Sequence, residues 1–167
     1  MRNYEKKQAA LTALSYLLRL VLIILVLGIP PNAQKQASKA NKFNAPSEET
    51  KALYTEYRGV RIGMTMQEVR AKLVEPTFKD DTLDFYVISE NESTQIAYDA
   101  THKVKTISTD YANGVGAPNY LSVVGAELVQ RPDGSLYRLV RYEKEGFWVS
   151  YNKSPGGTVT ITIQVAM

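Results

Sequence analysis

The sequence predicts an α+β domain in which two short N-terminal helices pack on one face of an antiparallel sheet of about six or seven strands. Three observations predict this class. Helical signals come first in the folded part, strand signals follow from Leu83 onward, and strands do not alternate with helices. The last strand, residues 158–165, alternates valine and isoleucine with threonine and glutamine, which is typical of a strand with one covered face.

Composition excludes several classes of site. The chain has 167 residues and no cysteine, which excludes a disulfide framework, a cysteine nucleophile, a cysteine zinc site and a lipid-anchored cysteine. His102 is the only histidine, so a multi-histidine metal site is excluded as well. We expect neither a cofactor nor a metal.

Charge argues against a nucleic-acid partner. The whole chain has a formal net charge of +3. From Pro46 onward, however, there are 13 basic and 16 acidic residues, a net charge of −3. Binding to phosphates needs clustered lysine and arginine, and the predicted folded part has no such cluster.

The N-terminal 33 residues predict export. Basic residues at the start, the apolar run at 20–29 and the small residue Ala33 form the pattern of a secretory signal, with cleavage after Ala33. The alternative is an uncleaved membrane anchor at residues 11–29, close to the ~20 residues that cross a bilayer. Both alternatives put the remainder of the chain in the periplasm or on the extracytoplasmic face of the membrane.

Two further segments complete the organisation. Residues 34–45 are rich in lysine, glutamine and asparagine without a hydrophobic period, and predict a flexible linker. Residues 46–167 predict a single domain.

The first predicted helix runs from Ser47 to Tyr57. Ser47 is a good N-cap, and Glu48 and Glu49 place negative charge in the first turn, where it suits the helix dipole. Arg58-Gly59 ends this helix.

The second predicted helix begins with a strong local signal. Thr65 and Glu68 form a T-x-x-E capping box, and Met64 and Val69 occupy the positions of a hydrophobic staple. The helix continues to Leu73 and stops before Pro76, since a proline cannot continue a helix.

Seven strands are predicted after this helix. Their residues are rich in β-branched and aromatic types and follow a period of two. Arg131-Pro132-Asp133-Gly134 is a hairpin signal between two of them. The predicted strands are residues 83–89, 95–99, 103–109, 126–130, 135–142, 147–151 and 158–165.

A short motif at the start of the second helix carries a family resemblance. Residues 59–69 read GVRIGMTMQEV, and a leucine and a proline follow at 73 and 76. The pattern resembles the signature of the SmpA/OmlA (BamE-like) outer-membrane assembly lipoproteins and of the related β-lactamase inhibitor protein fold. The matching positions are Gly63, Met64, Thr65, Glu68, Val69 and Pro76, and the match covers residues 47–110.

The resemblance implies a helix pair on an antiparallel sheet that makes protein–protein contacts in the cell envelope without catalysis. Val74 stands where the family usually has a glycine, and no cysteine is present for a lipid anchor. The Gly-Met-Thr motif occurs once, so the sequence does not predict a tandem repeat.

Aromatic residues concentrate in the last third of the chain. Trp148, Tyr137 and Tyr142 are the candidate partner-binding residues, because tryptophan and tyrosine are enriched at binding hot spots. The alternative is that they are ordinary residues of the sheet core.

Two other features predict no site. His102 falls in a predicted turn without a positioned partner for catalysis. Asp80, Asp81 and Asp84 lack the spacing and the glycine of a calcium loop, so we expect a solvated loop.

These observations together predict an exported, non-enzymatic protein-interaction module of the cell envelope, with an unidentified envelope protein as its partner. Residues 11–29 would attach it to the membrane if they are not cleaved. The alternatives are a membrane-anchored structural domain without a defined ligand, or a hydrolase that uses no recognised motif.

Overall fold

The computed structural model describes residues 51–166. Two short helices lie in this part of the chain, α1 Met66–Lys72 and α2 Tyr120–Val124, with a 3₁₀ turn at Ala112–Gly114. The eight strands are β1 Phe78–Lys79, β2 Leu83–Val87, β3 Glu92–Tyr98, β4 Val104–Tyr111, β5 Val129–Gln130, β6 Leu136–Tyr142, β7 Phe147–Lys153 and β8 Val159–Val165. They form one antiparallel sheet in the order β1-β2-β3-β4-β8-β7-β6-β5.

Two halves with the same order of elements build this sheet. Each half has a short helix, then a two-residue edge strand, then three longer strands: α1 with β1–β4, and α2 with β5–β8. The halves join where β4 pairs antiparallel with β8, with Tyr111 opposite Val159. Since these are the last strands of each half, an approximate twofold axis relates the two halves. The two halves thus repeat the order of their helices and strands, but the Gly-Met-Thr motif occurs only in the first half.

The predicted fold class is wrong in its helices and in its strand count. Residues 51–57 form no helix, and Ser47 lies outside the described residues. The described chain is mainly an antiparallel sheet of eight strands with two small helices, of which only α1 precedes the sheet. It is therefore not an α+β domain with two N-terminal helices under six or seven strands.

A hairpin turn replaces the end of the predicted first helix. Tyr57 and Val60 exchange backbone hydrogen bonds of 2.9 and 2.8 Å. Arg58 and Gly59 between them have φ angles of 49° and 80°, both left-handed, as in a type I′ turn. Arg-Gly thus closes a tight turn here, and Tyr54 and Tyr57 bury aromatic surface against the sheet instead of lying on a helix face.

The capping box of the second predicted helix is confirmed. Glu68 N donates to Thr65 Oγ1 at 3.3 Å, and Thr65 N donates to Glu68 Oε2 at 2.8 Å. Met66 and Val69 are buried in the core, and the helix ends at Lys72 with Leu73 as its C-cap. A helix of only seven residues is marginal by itself, so this packing and the cap hold it.

The sequence did not predict α2 and β1. Asn119 caps α2, because its Oδ1 accepts from Leu121 N at 2.8 Å, and Gly125 ends the helix with a left-handed φ of 63°. Both signals are visible in the sequence, but five residues are too few to show a helical period. A strand of two residues such as β1 has no period at all.

All seven predicted strands have counterparts, β2 to β8. One face of the sheet packs against α1, α2 and residues 52–60 to form the core. In β8 the predicted alternation is confirmed, because Val159, Ile161 and Ile163 are at most 2% exposed. Cross-strand partners continue the core on the same face, for example Ile107 opposite Ile163.

The predicted signal peptide or anchor at residues 1–33 and the linker at residues 34–45 lie outside the described residues. Among residues 51–166, no helix has the length and apolar character needed to cross a membrane.

Candidate protein-binding surface

The sheet has a second face, which we call the open face. It carries the residues that alternate with the core residues in each strand, and neither α1 nor α2 packs against it. Strand register places its residues in rows, since directly opposite residues share a face. One row runs through Leu139, Ser150, Thr162, Ser108, Gln95 and Phe85, and of these Ser150 and Phe85 are buried.

The middle of the open face is polar. Thr160 of β8 donates to Asp110 of β4 at 2.6 Å, and Ser108 of β4 and Thr162 of β8 share a hydrogen bond of 3.2 Å. These pairs lie on the seam where the two halves of the sheet join. The side chains thus bond to one another and form an ordered polar stripe.

Two aromatic residues of the open face border this stripe on β6 and β7, four strand positions or about 13 Å apart, and we call them the aromatic patch. Trp148 stands between Gln164 of β8 and Arg141 of β6, and both Trp148 and Tyr137 are half-buried on the open face. The Arg131 guanidinium lies 3.6 Å from the centre of the Tyr137 ring, a cation–π contact that fixes the ring at the surface. Two of the three predicted binding residues therefore share one surface.

The third predicted residue is on the other face. Tyr142 is 5% exposed, lies opposite Phe147, and has its ring centre 5.4 Å from that of Phe147. Tyr142 and Tyr137 are five positions apart in the same strand, and an odd separation puts two side chains on opposite faces. The sequence already contained this signal. Tyr142 belongs to the core and does not join the aromatic patch.

The acidic cluster near β2 is divided by the fold. Asp84 has no exposed surface, whereas Asp80 and Asp81 are exposed. Asp80 Oδ1 accepts from the backbone N–H groups of Thr82 and Leu83 at 2.6 and 2.8 Å, which closes the turn before β2. Among residues 51–166 no three metal-ligating side chains gather into a group.

Asp84 is held by three side chains. Its Oδ2 accepts from Arg70 Nε at 2.9 Å, Tyr98 OH at 2.7 Å and Tyr86 OH at 3.1 Å, and its Oδ1 accepts from Arg70 Nη2 at 2.7 Å. Burial, together with the Asp84 carboxylate, raises the pKa of both phenols above the usual value for tyrosine. These donors occupy the carboxylate, so the cluster fastens α1 to β2 and β3 instead of presenting a reactive group.

A second polar cluster fastens the hairpin turn. Tyr57 OH donates to Glu92 Oε1 at 2.8 Å, and Arg58 Nη2 donates to Glu92 Oε2 at 2.8 Å. Burial and the bond to Glu92 raise the pKa of Tyr57. As at Asp84, the carboxylate is engaged by a tyrosine and an arginine, and its role is structural.

The residues of the family-like motif serve the fold. Gly63 adopts a φ of 82°, and its N–H donates to Val104 O at 2.9 Å, while Val104 N donates to Met64 O at 2.8 Å. His102 is exposed in the turn before β4, and its backbone oxygen accepts from Met66 N at 3.0 Å. The motif thereby docks the start of α1 onto the turn between β3 and β4.

Comparison with known proteins does not test the family resemblance. No family model matches the chain, and no curated protein or solved structure matches it significantly. The likeness to the SmpA/OmlA family and the β-lactamase inhibitor protein fold stays a prediction.

Proposed function

We propose that this protein is a non-enzymatic protein-binding module of the cell envelope, and that its open face binds the partner around Trp148 and Tyr137. The observation that supports this is the position of both side chains, which are half-buried on the sheet face against which neither described helix packs. Tryptophan and tyrosine bury a large apolar area and keep one polar atom for a hydrogen bond, which suits them to interface hot spots.

The rest of the open face has the mixed character of a protein interface. A polar stripe follows the aromatic patch, and apolar residues return on β1 and β2, where Phe78 and Val87 are 41% and 49% exposed. A standard interface takes about 800 Å² from each partner, so a partner of ordinary size would cover both the patch and the stripe. Apolar anchors beside satisfied polar groups are typical of such surfaces.

The polar clusters favour binding over hydrolysis. The carboxylates of Asp84 and Glu92 each accept hydrogen bonds from an arginine and from at least one tyrosine hydroxyl. A catalytic acid or base needs an accessible position within reach of a substrate proton. Groups held in this way contribute to stability and do not support the alternative of an unrecognised hydrolase.

The envelope location in this proposal rests on the sequence of residues 1–33. Their basic start and apolar run are typical of an export signal or an anchor. N-terminal sequencing of the native protein distinguishes the two, since a chain that starts at Gln34 has been cleaved and an intact Met1 in the membrane fraction has not. Full-length protein in the cytosol would contradict export.

Site-specific photo-crosslinking tests the binding surface. The full-length protein is produced in its native cells with p-benzoylphenylalanine in place of Trp148, of Tyr137 or of Gln67. Gln67 is an exposed residue of α1 and serves as the control. We expect one common adduct from positions 148 and 137, absent at position 67, and reduced by an excess of unlabelled protein.

Two results would contradict the proposal. Equal adducts from all three positions would mean non-specific contact, and no adduct from 148 or 137 would favour a structural domain without a partner. Turnover of a substrate by the purified protein would contradict its non-enzymatic character.

A further inference from the structure

Within residues 51–166, the outer edge of β6 is mostly unpaired. Its neighbour β5 has only two residues, which pair with Leu136 and Tyr137, and no other described strand lies beside the remainder of β6. Arg131 N donates to Ser135 O at 2.8 Å, and this bond continues the β5–β6 ladder at the turn. The alternation of an antiparallel ladder then sets the direction of every following backbone group.

The direction of these groups follows from the register. Tyr137, opposite Val129, turns its N–H and C=O toward β5, so Leu139 and Arg141 turn theirs to the same outer side. Arg138 and Val140 instead turn their backbone N–H and C=O groups toward β7. Within residues 51–166, no hydrogen bond reaches the backbone N–H or C=O of Leu139 or Arg141.

This edge opens onto a shallow depression. Its volume is about 380 Å³, and it is lined by Val129, Tyr137, Arg138, Leu139 and Arg141. The unpaired backbone groups therefore face a space that another chain can enter. An exposed strand edge with free N–H and C=O groups is a template for an added strand.

Three arginines at this edge form no ion pair with any described residue. Arg58, Arg61 and Arg70 in the first half each pair with a carboxylate at 2.6 to 2.8 Å. Arginine residues also lie at the β5–β6 edge, and within the described residues none of these forms an ion pair; they are Arg131, Arg138 and Arg141. The Nε of Arg138 is also buried without an acceptor there. A buried donor without an acceptor is costly, and an incoming carboxylate would supply one.

We propose that the outer edge of β6 binds an extended, acidic segment of a partner protein, which adds to the sheet as a strand beside Leu139 and Arg141. Backbone hydrogen bonds to Leu139 and Arg141 hold the segment. Since Arg138 and Arg141 lie on opposite faces of the sheet, a carboxylate on one side of the segment bonds to Arg141 and one on the other side bonds to Arg138. The proposal deepens the protein-binding function but uses the strand edge instead of the open face, so either one can fail alone.

Charge disfavours a second copy of this chain as the occupant. Two β6 edges paired antiparallel about Leu139 would place Arg141 of each copy opposite Tyr137 of the other, and would gather Arg138 and Arg141 of both copies along one seam. Like charges brought close together without carboxylates destabilise such a pair. An acidic strand meets the opposite situation, because each of its carboxylates faces an unpaired guanidinium.

Three ten-residue peptides test the proposal on the full-length protein in detergent micelles. Each alternates threonine with a second residue, which is glutamate, glutamine or lysine. We expect the glutamate peptide to bind at least about tenfold more tightly than either other peptide and to slow amide exchange at Leu139 and Arg141 by about tenfold. N-methylation of its β6-facing amides should abolish both effects.

Two variants test the backbone edge of β6 and its charge. Leu139→Pro removes one outward N–H at a position where an edge strand tolerates proline, and Arg141→Glu reverses the charge. Each variant should bind the glutamate peptide at least about tenfold more weakly, because one loses a backbone hydrogen bond and the other an ion pair. Arg61→Gln, in the first half, should have no effect. If Leu139→Pro fails to fold, Arg141→Glu and the methylated peptide carry the test.

Other results would overturn the proposal. Equal binding of the three peptides, or slowed exchange elsewhere and not at Leu139 and Arg141, would mean that the arginines only protect the edge from pairing. Self-association that slows exchange at these amides without peptide would identify a second copy as the occupant. Loss of the Trp148 crosslink with peptide binding intact would reject the proposed function and leave this inference standing.

Discussion

Arg70 and Asp84 form a two-point ion pair that joins helix α1 to strand β2, with nitrogen–oxygen distances of 2.7 and 2.9 Å. Asp84 has no exposed surface, whereas the Arg70 side chain is 32% exposed. The buried carboxylate therefore depends on its partners for solvation, and the arginine does not. This asymmetry indicates which side of the pair is more sensitive to substitution.

Asp84→Ala should lower the free energy of unfolding by about 3 kcal/mol, because Tyr86 and Tyr98 lose a buried acceptor and Arg70 loses its partner. Urea unfolding followed by circular dichroism measures the change. Asp81→Ala is the matched control, since Asp81 is exposed, and should change stability by less than about 0.5 kcal/mol. Equal effects of the two substitutions would show that the ion pair contributes nothing.

Alkaline pH should destabilise the domain. The native pKa values of Tyr86 and Tyr98 lie above the unfolded value of about 10, so the native state holds these protons more tightly. Their contribution is complete below pH ~10 and decreases as the pH rises further. We expect the free energy of unfolding to fall above that pH. Tyr98→Phe should make the fall less steep than in the wild-type protein, and an identical slope in the two proteins would contradict this account.

Thr65→Ala should lower stability by about 1 kcal/mol, because it removes the acceptor for Glu68 N at the start of a seven-residue helix. Thermal or urea unfolding measures the change. Gln67→Ala, at an exposed position of the same helix, is the control and should have an effect below about 0.5 kcal/mol. An unchanged midpoint for Thr65→Ala would mean that tertiary contacts alone hold α1.

Substitution by alanine should mainly lower stability at Tyr142 and mainly weaken partner binding at Trp148. Tyr142→Ala should cost about 3 kcal/mol of stability, because it leaves a cavity beside Phe147. Trp148→Ala should cost less, about 1 to 2 kcal/mol, since this side chain is only half-buried, and should remove the adduct formed from position 137. A stable Tyr142→Ala protein that loses the adduct would reverse these assignments.

The sequence alone predicted the features that depend on residues close together in the chain. The Thr65–Glu68 cap involves residues three positions apart, and the alternation in β8 is a property of consecutive residues, so both are confirmed as predicted. By contrast, Arg58-Gly59 fits both a helix end and a type I′ turn. Burial of Tyr57 and its bond to Glu92, 35 positions away, are compatible only with the turn.

The candidate surface was only partly predictable for the same reason. Trp148 and Tyr137 were named from residue type, and the odd spacing of Tyr142 already contradicted its inclusion. That Trp148 adjoins Arg141 and Gln164 depends on the register of three strands. Arg131, Arg138 and Arg141, which form no ion pair with any described residue, lie along one strand edge only because β5 stops after two residues.

The sequence by itself determined the capped helix α1, the segments that form β2 to β8 and the alternation that gives each longer strand an inner and an outer side, since these depend on neighbours within a few positions. Tertiary structure alone decided the order of the strands, the junction of β4 with β8 and the open edge of β6. Those features join residues up to 58 positions apart, as between Thr106 and Gln164. Such contacts form only when the whole sheet closes over its core, and no local pattern encodes them.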